Sequence, residues 1–174
     1  MKRFGLFAII AICLIILAGN LNAQLKIGYV NSEVILKEYD EAREAQAKLD
    51  MEAKKIQDEY QRMLAKLDSL QREYERQRLI MSEARRTEKE NEIASLQREI
   101  QEYQIKKLGP DGEIYKKQAE YVGPVLEKIR KVIQKIGEEG KYDYIFDSVA
   151  GNILFADPAH DLTDQVLYEL KRMQ

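Results

Sequence analysis

The residues with the clearest capacity for chemistry surround His160, the only histidine of the chain. Asp157, Asp161 and Asp164 all lie within four positions of it. Imidazole and carboxylate groups at this spacing are ligands that a divalent metal accepts. Carboxylates at a turn and at a helix start explain the same residues, because they accept hydrogen bonds from free backbone N–H groups. Without a second histidine we expect neither a metal site nor a bound cofactor.

A second candidate is the dipeptide Gly140-Lys141, which has the order found at the end of a phosphate-binding loop. The glycine that such a loop requires five positions earlier is replaced by Lys135, and no serine or threonine follows the lysine. After residue 23 the chain has no cysteine and one histidine, so neither a catalytic dyad nor a zinc site can be assembled. We therefore expect a protein that is not an enzyme.

A third candidate is a binding surface in residues 72–89. Six basic residues stand there against four glutamates, and Leu79, Ile80 and Met81 add apolar surface between them. One interpretation is a solvated turn between helices. The other is contact with an unfolded client chain or with an anionic membrane. The basic residues of this segment are Arg72, Arg76, Arg78, Arg85, Arg86 and Lys89.

This segment lies in the middle of a long helical pattern over residues 41–121. Apolar residues recur every three or four positions between charged ones, which is typical of a coiled-coil seam. The rhythm stops near 80–82, where Ser82 followed by Glu83 indicates a helix start. We predict an antiparallel helical hairpin with its tip there, which would bring Ile56 near Tyr103. The seam residues are Leu49, Ala53, Ile56, Tyr60, Met63, Leu67, Leu70 and Tyr74, then Ile93, Leu96, Ile100 and Tyr103.

The returning helix is interrupted by the sequence Leu-Gly-Pro-Asp-Gly-Glu at residues 108–113. Pro110 has no N–H group and clashes inside a helix, while Gly109 and Gly112 permit other backbone conformations. One interpretation is a helix stop followed by a new start at Asp111. The other is a hinge on which the outer hairpin swings. The pair Gly123-Pro124 predicts a second, milder break.

Both ends of the chain predict β-structure. Residues 25–30 alternate as a strand that ends at the helix-starting pair Asn31-Ser32. Residues 142–155 predict a β-hairpin, with a turn at Gly151-Asn152 and a second strand at 153–155. Thr163 then indicates the N-cap of a last helix. The pattern predicts an α+β fold, with a small body built from residues 24–40 and 122–174.

Three strands and a short helix bury little apolar surface, so we predict that the body oligomerises through its sheet. The residues assigned to this contact are Ile27, Tyr29, Tyr144, Phe146 and Leu154.

The first residues predict the compartment. A short basic start, an apolar run from Phe4 to Leu17 and small residues up to Ala23 are typical of a secretory signal peptide, residues 1–23, cut after Ala23. The apolar run is shorter than the roughly 20 residues that a bilayer-spanning helix needs. Removal of Lys2 and Arg3 takes the formal net charge from −2 to −4, so nucleic acid is not an expected partner.

The sequence from Lys26 to Leu36, KIGYVNSEVIL, and that from Tyr142 to Leu167, YDYIFDSVAGNILFADPAHDLTDQVL, resemble the Skp (OmpH-like) family of periplasmic chaperones. The resemblance extends over the whole chain after residue 23, and its Gly-Pro-Asp-Gly segment is similar to that of Bacteroidetes-type members. The best-known members are strongly basic, whereas this chain is mildly acidic.

The resemblance implies a homotrimer in which strands from three chains form a β-barrel body and three helical arms surround a cavity. It implies a holdase that keeps unfolded outer-membrane β-barrel proteins soluble without ATP, in the periplasm, with anionic membrane or lipopolysaccharide as a further contact. Long solvated hairpins with a thin core suit this role, since they open at low cost. The competing hypothesis is a structural coiled coil that spaces or tethers envelope components.

Overall fold

The computed structural model describes residues 25–173, which form a mostly helical chain with one two-stranded sheet. The predicted signal peptide, residues 1–23, lies outside the described residues. The strands are β1 (Ile27–Val30) and β2 (Tyr144–Asp147). The helices are α1 (Ser32–Glu38), α2 (Asp40–Gln77), α3 (Glu83–Leu108), α4 (Glu113–Tyr121), α5 (Gly123–Gly140) and α6 (Thr163–Arg172), with 3-10 turns at Ser148–Ala150 and Pro158–His160.

Helices α2, α3 and α4 form what we call the arm. A short turn joins α2 to α3, and the hydroxyl of Ser82 caps α3 by accepting from the N–H of Arg85 at 3.4 Å. Near this turn Tyr74 contacts Glu90, and farther from it the rings of Tyr60 and Tyr103 stack with centroids 6.5 Å apart. The Tyr103 hydroxyl donates to the Ile56 carbonyl at 3.2 Å, which confirms the predicted meeting of these two residues.

The arm has a narrow core. Its buried residues are Leu70, Leu96 and Ile100, with five partly buried apolar neighbours, and Ile56 is buried nearer the body. The charged residues beside this seam pair within their own helix, as Glu59 does with Arg62 and Asp68 with Arg72. In the arm, α2 is therefore held against the returning helices by one apolar layer.

The break between α3 and α4 is a tightly built turn. The N–H of Gly112 donates to the carbonyl of Gly109 at 2.8 Å, and Lys107 forms an ion pair with Glu113 across the break. A Cβ atom at Gly112 would lie 2.7 Å from the Lys107 carbonyl oxygen, and one at Gly109 would overlap that of Ile105. Both positions require glycine because backbone approaches backbone there.

The remaining elements, β1, α1, α5, β2 and α6, form what we call the body. Along α5 the buried residues Val125, Ile129, Val132 and Ile136 recur at helical spacing and present one apolar face. This face packs with α1, with the first turns of α2 and with α6 in a core of thirteen buried residues. Asn31 starts α1 by accepting a hydrogen bond from the N–H of Val34 at 3.0 Å.

The sheet differs from the predicted one. β1 forms where the sequence predicts a strand, but it pairs in parallel with β2, with Ile27 opposite Tyr144 and Val30 opposite Asp147. The predicted second hairpin strand at 153–155 is not a strand in the described chain, so the hairpin prediction is wrong for the single chain.

Local hydrogen bonds explain the missing hairpin. Asp147 accepts from the N–H of Val149 at 3.1 Å, and the hydroxyl of Ser148 donates to the Val30 carbonyl at 3.1 Å. These bonds hold the chain after β2 in a 3-10 turn against the end of β1, so the chain does not fold back directly along β2.

The predicted N-cap of the last helix is also wrong. Thr163 is the first helical residue of α6. Its N–H group donates a hydrogen bond to the carboxylate of Asp161 at 2.9 Å. The Thr163 hydroxyl instead accepts from the N–H of Asn31 at 2.9 Å. A buried threonine thus ties the last helix to the end of β1.

Candidate functional site

One face of the small sheet is open and apolar. Side chains alternate along a strand, so Val30 and Ile145 face the helical core while Ile27, Tyr144 and Phe146 lie on the opposite, exposed face. The rings of Tyr144 and Phe146 stack along this face with centroids 5.9 Å apart. We call it the open sheet face.

A depression of about 610 Å³ lies over the open sheet face. Its lining is mostly apolar and comes from β1, from Phe146 and from the irregular segment that includes Ile153 and Phe155. Tyr29 lines it with Asp157, and partial burial together with the carboxylates of Asp161 and Asp157 raises the pKa of the Tyr29 hydroxyl.

Four of the five residues assigned from sequence to the oligomerisation surface meet on this face. Ile27, Tyr29, Tyr144 and Phe146 are neighbours in the β1–β2 pairing, in which Tyr29 stands opposite Phe146. Leu154 does not join them, because it lies outside the sheet with its side chain 98% exposed. Phe155 beside it is 89% exposed and borders the depression, a contribution that the sequence reasoning missed.

The arm tip presents apolar side chains to solvent. Leu79 and Ile80 are 89% and 87% exposed in the turn between α2 and α3, while Met81 is half-buried. These two adjacent aliphatic residues therefore form exposed apolar surface at the tip.

The basic residues of the tip fall into two groups. Arg72, Arg78 and Lys89 pair with acidic residues of their own helices, at 3.0, 3.1 and 2.8 Å. Within residues 25–173 no ion pair forms at the other three, which are Arg76, Arg85 and Arg86. Residues 76–86 contain four arginines against one glutamate, so the outermost turn is clearly cationic.

The third set of predicted site residues, Gly109, Pro110 and Gly112, lies on the returning leg of the arm, after the 26 residues of α3 and before the 9 residues of α4. Exposed apolar side chains stand on both sides of this break and on the helix opposite. They are Met51, Ile105, Leu108 and Tyr115.

The carboxylates near His160 serve as backbone caps. Asp157 accepts from the N–H of Ala159 at 2.9 Å, and Asp161 accepts from Thr163. Across residues 25–173 no group of three or more His, Cys, Asp or Glu side chains is arranged to hold a metal ion. No helix in that range combines the length and apolar character needed to cross a bilayer.

Comparisons with known proteins agree with this geometry. A family profile described as "Outer membrane protein (OmpH-like)" matches residues 26–170. The chaperone protein Skp of Yersinia enterocolitica is 27% identical over 146 residues, which cover 84% of this chain and 86% of that protein. An uncharacterized protein of Aquifex aeolicus is 26% identical over 172 residues, covering 99% and 98% of the two chains.

A solved structure has the same fold. The crystal structure of an OmpH-like protein from Caulobacter crescentus matches with a TM-score of 0.69 over 87% of each chain, at 15% sequence identity.

Proposed function

The chain belongs to the OmpH-like family, and from this premise we propose that it is an ATP-independent holdase of the periplasm for unfolded outer-membrane β-barrel proteins. The family consists of chaperones, and the chain is a chaperone rather than an enzyme. The observation that carries the proposal is a long arm, thinly held together and rich in exposed apolar residues, on a compact body. Export by the predicted signal peptide, cut after Ala23, would place it where outer-membrane proteins pass unfolded.

The proposed assembly is a homotrimer joined through the open sheet face. A two-stranded sheet is marginal in water by itself, and this one leaves an apolar face and the outer edge of β2 uncovered. Residues 153–155 have the pattern of a strand but pair with no strand within residues 25–173. If this segment paired with the sheet of a neighbouring copy, it would cover the apolar face and the outer edge of β2. The strands of the copies would then close into a barrel.

Client binding is assigned to the antiparallel arm. A holdase needs many weak contacts that adapt to different sequences, and exposed apolar side chains such as Ile105 and the flexible Met51 provide them. An arm with few buried residues can widen without unfolding the body. Three such arms on one trimer would enclose a space for an unfolded chain.

The tip is assigned to client or anionic surface contact. Leu79, Ile80 and Met81 supply apolar area, and the arginines around them favour acidic partners such as an anionic membrane or lipopolysaccharide. The chain as a whole has a mildly acidic net charge, so the positive charge of the tip is confined to that region.

The test is removal of the outer arm. Deletion of residues 60–103 with a short Gly-Ser linker is feasible because the rings of Tyr60 and Tyr103 stack at 6.5 Å. Intact and shortened chains are mixed with a urea-unfolded outer-membrane protein on dilution, and aggregation is followed by light scattering. We expect the intact chain to suppress aggregation at one trimer per client and the shortened chain to lose this activity.

Native mass measurement of both proteins provides the control. The shortened chain should keep the mass of a trimer, since the body and its open sheet face remain. A structural spacer would show the trimer but no suppression by the intact chain, and that outcome would overturn the holdase assignment. Full activity of the shortened trimer would move client binding from the arm to the body.

A further inference from the structure

Residues 152–156 cross the surface of the body without a backbone hydrogen bond. They belong to no helix or strand, and within residues 25–173 none of their backbone N–H or C=O groups is paired. The side chains of Leu154 and Phe155, in the middle of this segment, are 98% and 89% exposed. We call residues 152–156 the linker. Its free peptide groups are available to pair with another protein.

Several other exposed apolar residues of the described chain have a fixed backbone. Ile105 and Tyr168 lie within helices, where backbone hydrogen bonds hold the chain. Ile80 at the arm tip is nearly as exposed as Phe155, but its N–H donates to the Gln77 carbonyl at 3.0 Å. A large exposed apolar side chain and a free backbone therefore coincide in the linker.

Two short turns bound the linker. Before it lies the 3-10 turn Ser148–Ala150, which side-chain hydrogen bonds hold against the end of β1. After it lies the 3-10 turn Pro158–His160, which the carboxylate of Asp157 caps. Single turns held by a few hydrogen bonds open locally at low cost, so the free stretch can lengthen on both sides without unfolding the helices.

The linker is the covalent connection between the sheet and the last helix. That helix, α6, contributes Val166, Leu167 and Leu170 to the core of the body, each at most 4% exposed. A break on either side of Phe155 would detach residues 156–174, and α6 with them. The core would then depend on a short separate peptide, whose high effective concentration beside the body is lost once the chain is cut.

These properties are those of a protease substrate. Exposed loops are the preferred sites of proteolytic nicking, and an extended segment with free peptide groups is bound through main-chain hydrogen bonds. A hydrophobic specificity pocket accepts one large apolar side chain next to the bond that is cut. Leu154 and Phe155 offer two such side chains in succession. The linker also contains the segment that would pair with a neighbouring copy in the proposed trimer.

We propose that the linker is a cleavage site for an envelope protease with an apolar specificity pocket, and that assembly covers it, so that only unassembled chains are cut. Hydrolysis breaks the peptide bond after Leu154 or Phe155. The hydroxyl group of one water molecule adds to the carbonyl carbon, and the proton goes to the released nitrogen. Protection by assembly rests on the proposed homotrimer, whereas the exposed site follows from the single chain.

Chymotrypsin is a suitable probe, because it cuts after large apolar residues. The processed chain is treated with a fixed low concentration of chymotrypsin at chain concentrations from about 0.1 to about 50 μM, since assembly depends on concentration. Native mass measurement gives the oligomeric state at each concentration. Mass spectrometry of the fragments gives the position and the rate of each cut.

We expect the rate constant of the cut beside Phe155 to fall by about tenfold or more as the trimer forms, because cleavage follows the population of accessible chains. The cut after Leu79 at the arm tip is the reference within the same molecule. Leu79 is 89% exposed and lies outside the open sheet face, so its cleavage should not respond to assembly. The ratio of the two rates therefore removes any effect of substrate concentration.

A pair of serine substitutions tests the recognition itself. Leu154→Ser combined with Phe155→Ser should abolish the cut in the linker and leave the circular dichroism unchanged, because both side chains are exposed. Leu79→Ser combined with Ile80→Ser is the matched control, since these two residues are equally exposed. It should leave the cut in the linker unchanged.

Tyr144→Asp separates recognition from assembly in cells. Tyr144 is 56% exposed on the open sheet face, so a charge there should prevent assembly while the body stays folded. In a bacterial host that exports the chain, pulse-chase labelling should show a several-fold shorter lifetime for Tyr144→Asp than for the native chain. Addition of the Leu154→Ser and Phe155→Ser pair should restore the lifetime.

The inference is overturned if the trimer is cut in the linker as fast as the dilute chain, or if the serine pair does not lengthen the lifetime of Tyr144→Asp. If the chain is monomeric at every concentration, the proposed trimer fails and protection by assembly fails with it. A chain that is trimeric, protected and degraded as described, but does not suppress aggregation, supports the inference and refutes the holdase assignment.

Discussion

The body and the arm are built from the same helical material but are held together differently. Thirteen buried residues from two ends of the chain form the core of the body, whereas three form that of the outer arm. Most ion pairs differ in the same way. Lys135–Glu169 links two helices of the body and Lys128–Glu41 links the body to the first turn of α2, while most pairs of the arm, such as Lys106–Glu102, lie within one helix.

This difference indicates separate tasks for the two regions. A core that joins residues from both ends of the sequence unfolds as a unit, because each element depends on several others. Two helices that share one apolar layer can separate locally without exposing the rest of the core. The proposed holdase, which must remain assembled while it adapts to many clients, would use both properties, one in each region.

The largest expected effect comes from a charge in the core of the body. Ile136→Asp places an unpaired carboxylate where the native side chain is almost fully buried, which costs about 4 kcal/mol or more. That is comparable with the whole stability of a small domain, so body and assembly should be lost together. Urea unfolding followed by circular dichroism, at fixed protein concentration, measures the loss.

Ile100→Asp is the matched change in the arm, where the native residue is also buried. We expect amide hydrogen exchange to accelerate in α2 and α3. In α5 and α6 the free energy of opening, derived from the exchange rates, should change by less than about 1 kcal/mol. Unfolding of the whole chain by this variant would mean that the arm belongs to the stability core, and the division between the regions would disappear.

A smaller effect is expected inside the arm, at Gly112→Ala. The added methyl group would lie 2.7 Å from the backbone oxygen of Lys107, and displacing that backbone costs about 1–3 kcal/mol of local stability. Gly123→Ala is the control, because its Cβ would meet no atom within 4 Å and should stabilise the chain by up to about 1 kcal/mol. Segment-resolved hydrogen exchange near residues 105–116 distinguishes the two variants. If Gly112→Ala and Gly123→Ala change the exchange rates there equally, the argument for a rigid turn at Gly109–Gly112 is lost.

The smallest expected effect is the dependence of body stability on pH through Glu169. Its hydrogen bond with Lys135, with Arg172 beside it, holds the pKa of Glu169 below the ordinary value of 4.5. The folded state therefore binds this proton less readily than the unfolded state. The resulting stability is fully present above the unfolded pKa and is lost as the pH falls through the lower folded pKa.

Glu169→Gln should accordingly be less stable than the native chain at neutral pH, and the difference should shrink in acid. Urea unfolding at a series of pH values measures it. Glu59→Gln, in an exposed pair of the arm with Arg62, should leave the unfolding of the body unchanged at every pH. A constant difference between native and Glu169→Gln chains across the series would contradict the assigned cause.

Much of the arm could be read from the sequence, because its contacts repeat at helical spacing. The seam positions Ile56 and Tyr103 were predicted to meet and do, and Ser82 was predicted to start a helix and does. The tip, hinge and oligomerisation assignments remain predictions. The sheet was the main error, since a strand pattern at 153–155 does not say whether its partner lies in the same chain.

The sequence by itself determined a mostly helical chain with a small sheet. The spacing of apolar residues, the turn residues and the helix caps all depend on positions only a few residues apart. Only the tertiary structure decided the parallel pairing of β1 with β2, the hydrogen bond from Asn31 to Thr163 and the ion pair between Glu41 and Lys128. Asn31 and Thr163 are 132 positions apart, and Glu41 and Lys128 are 87 positions apart. No local pattern encodes such a contact, because it forms only when the arm has returned the second half of the chain to the first.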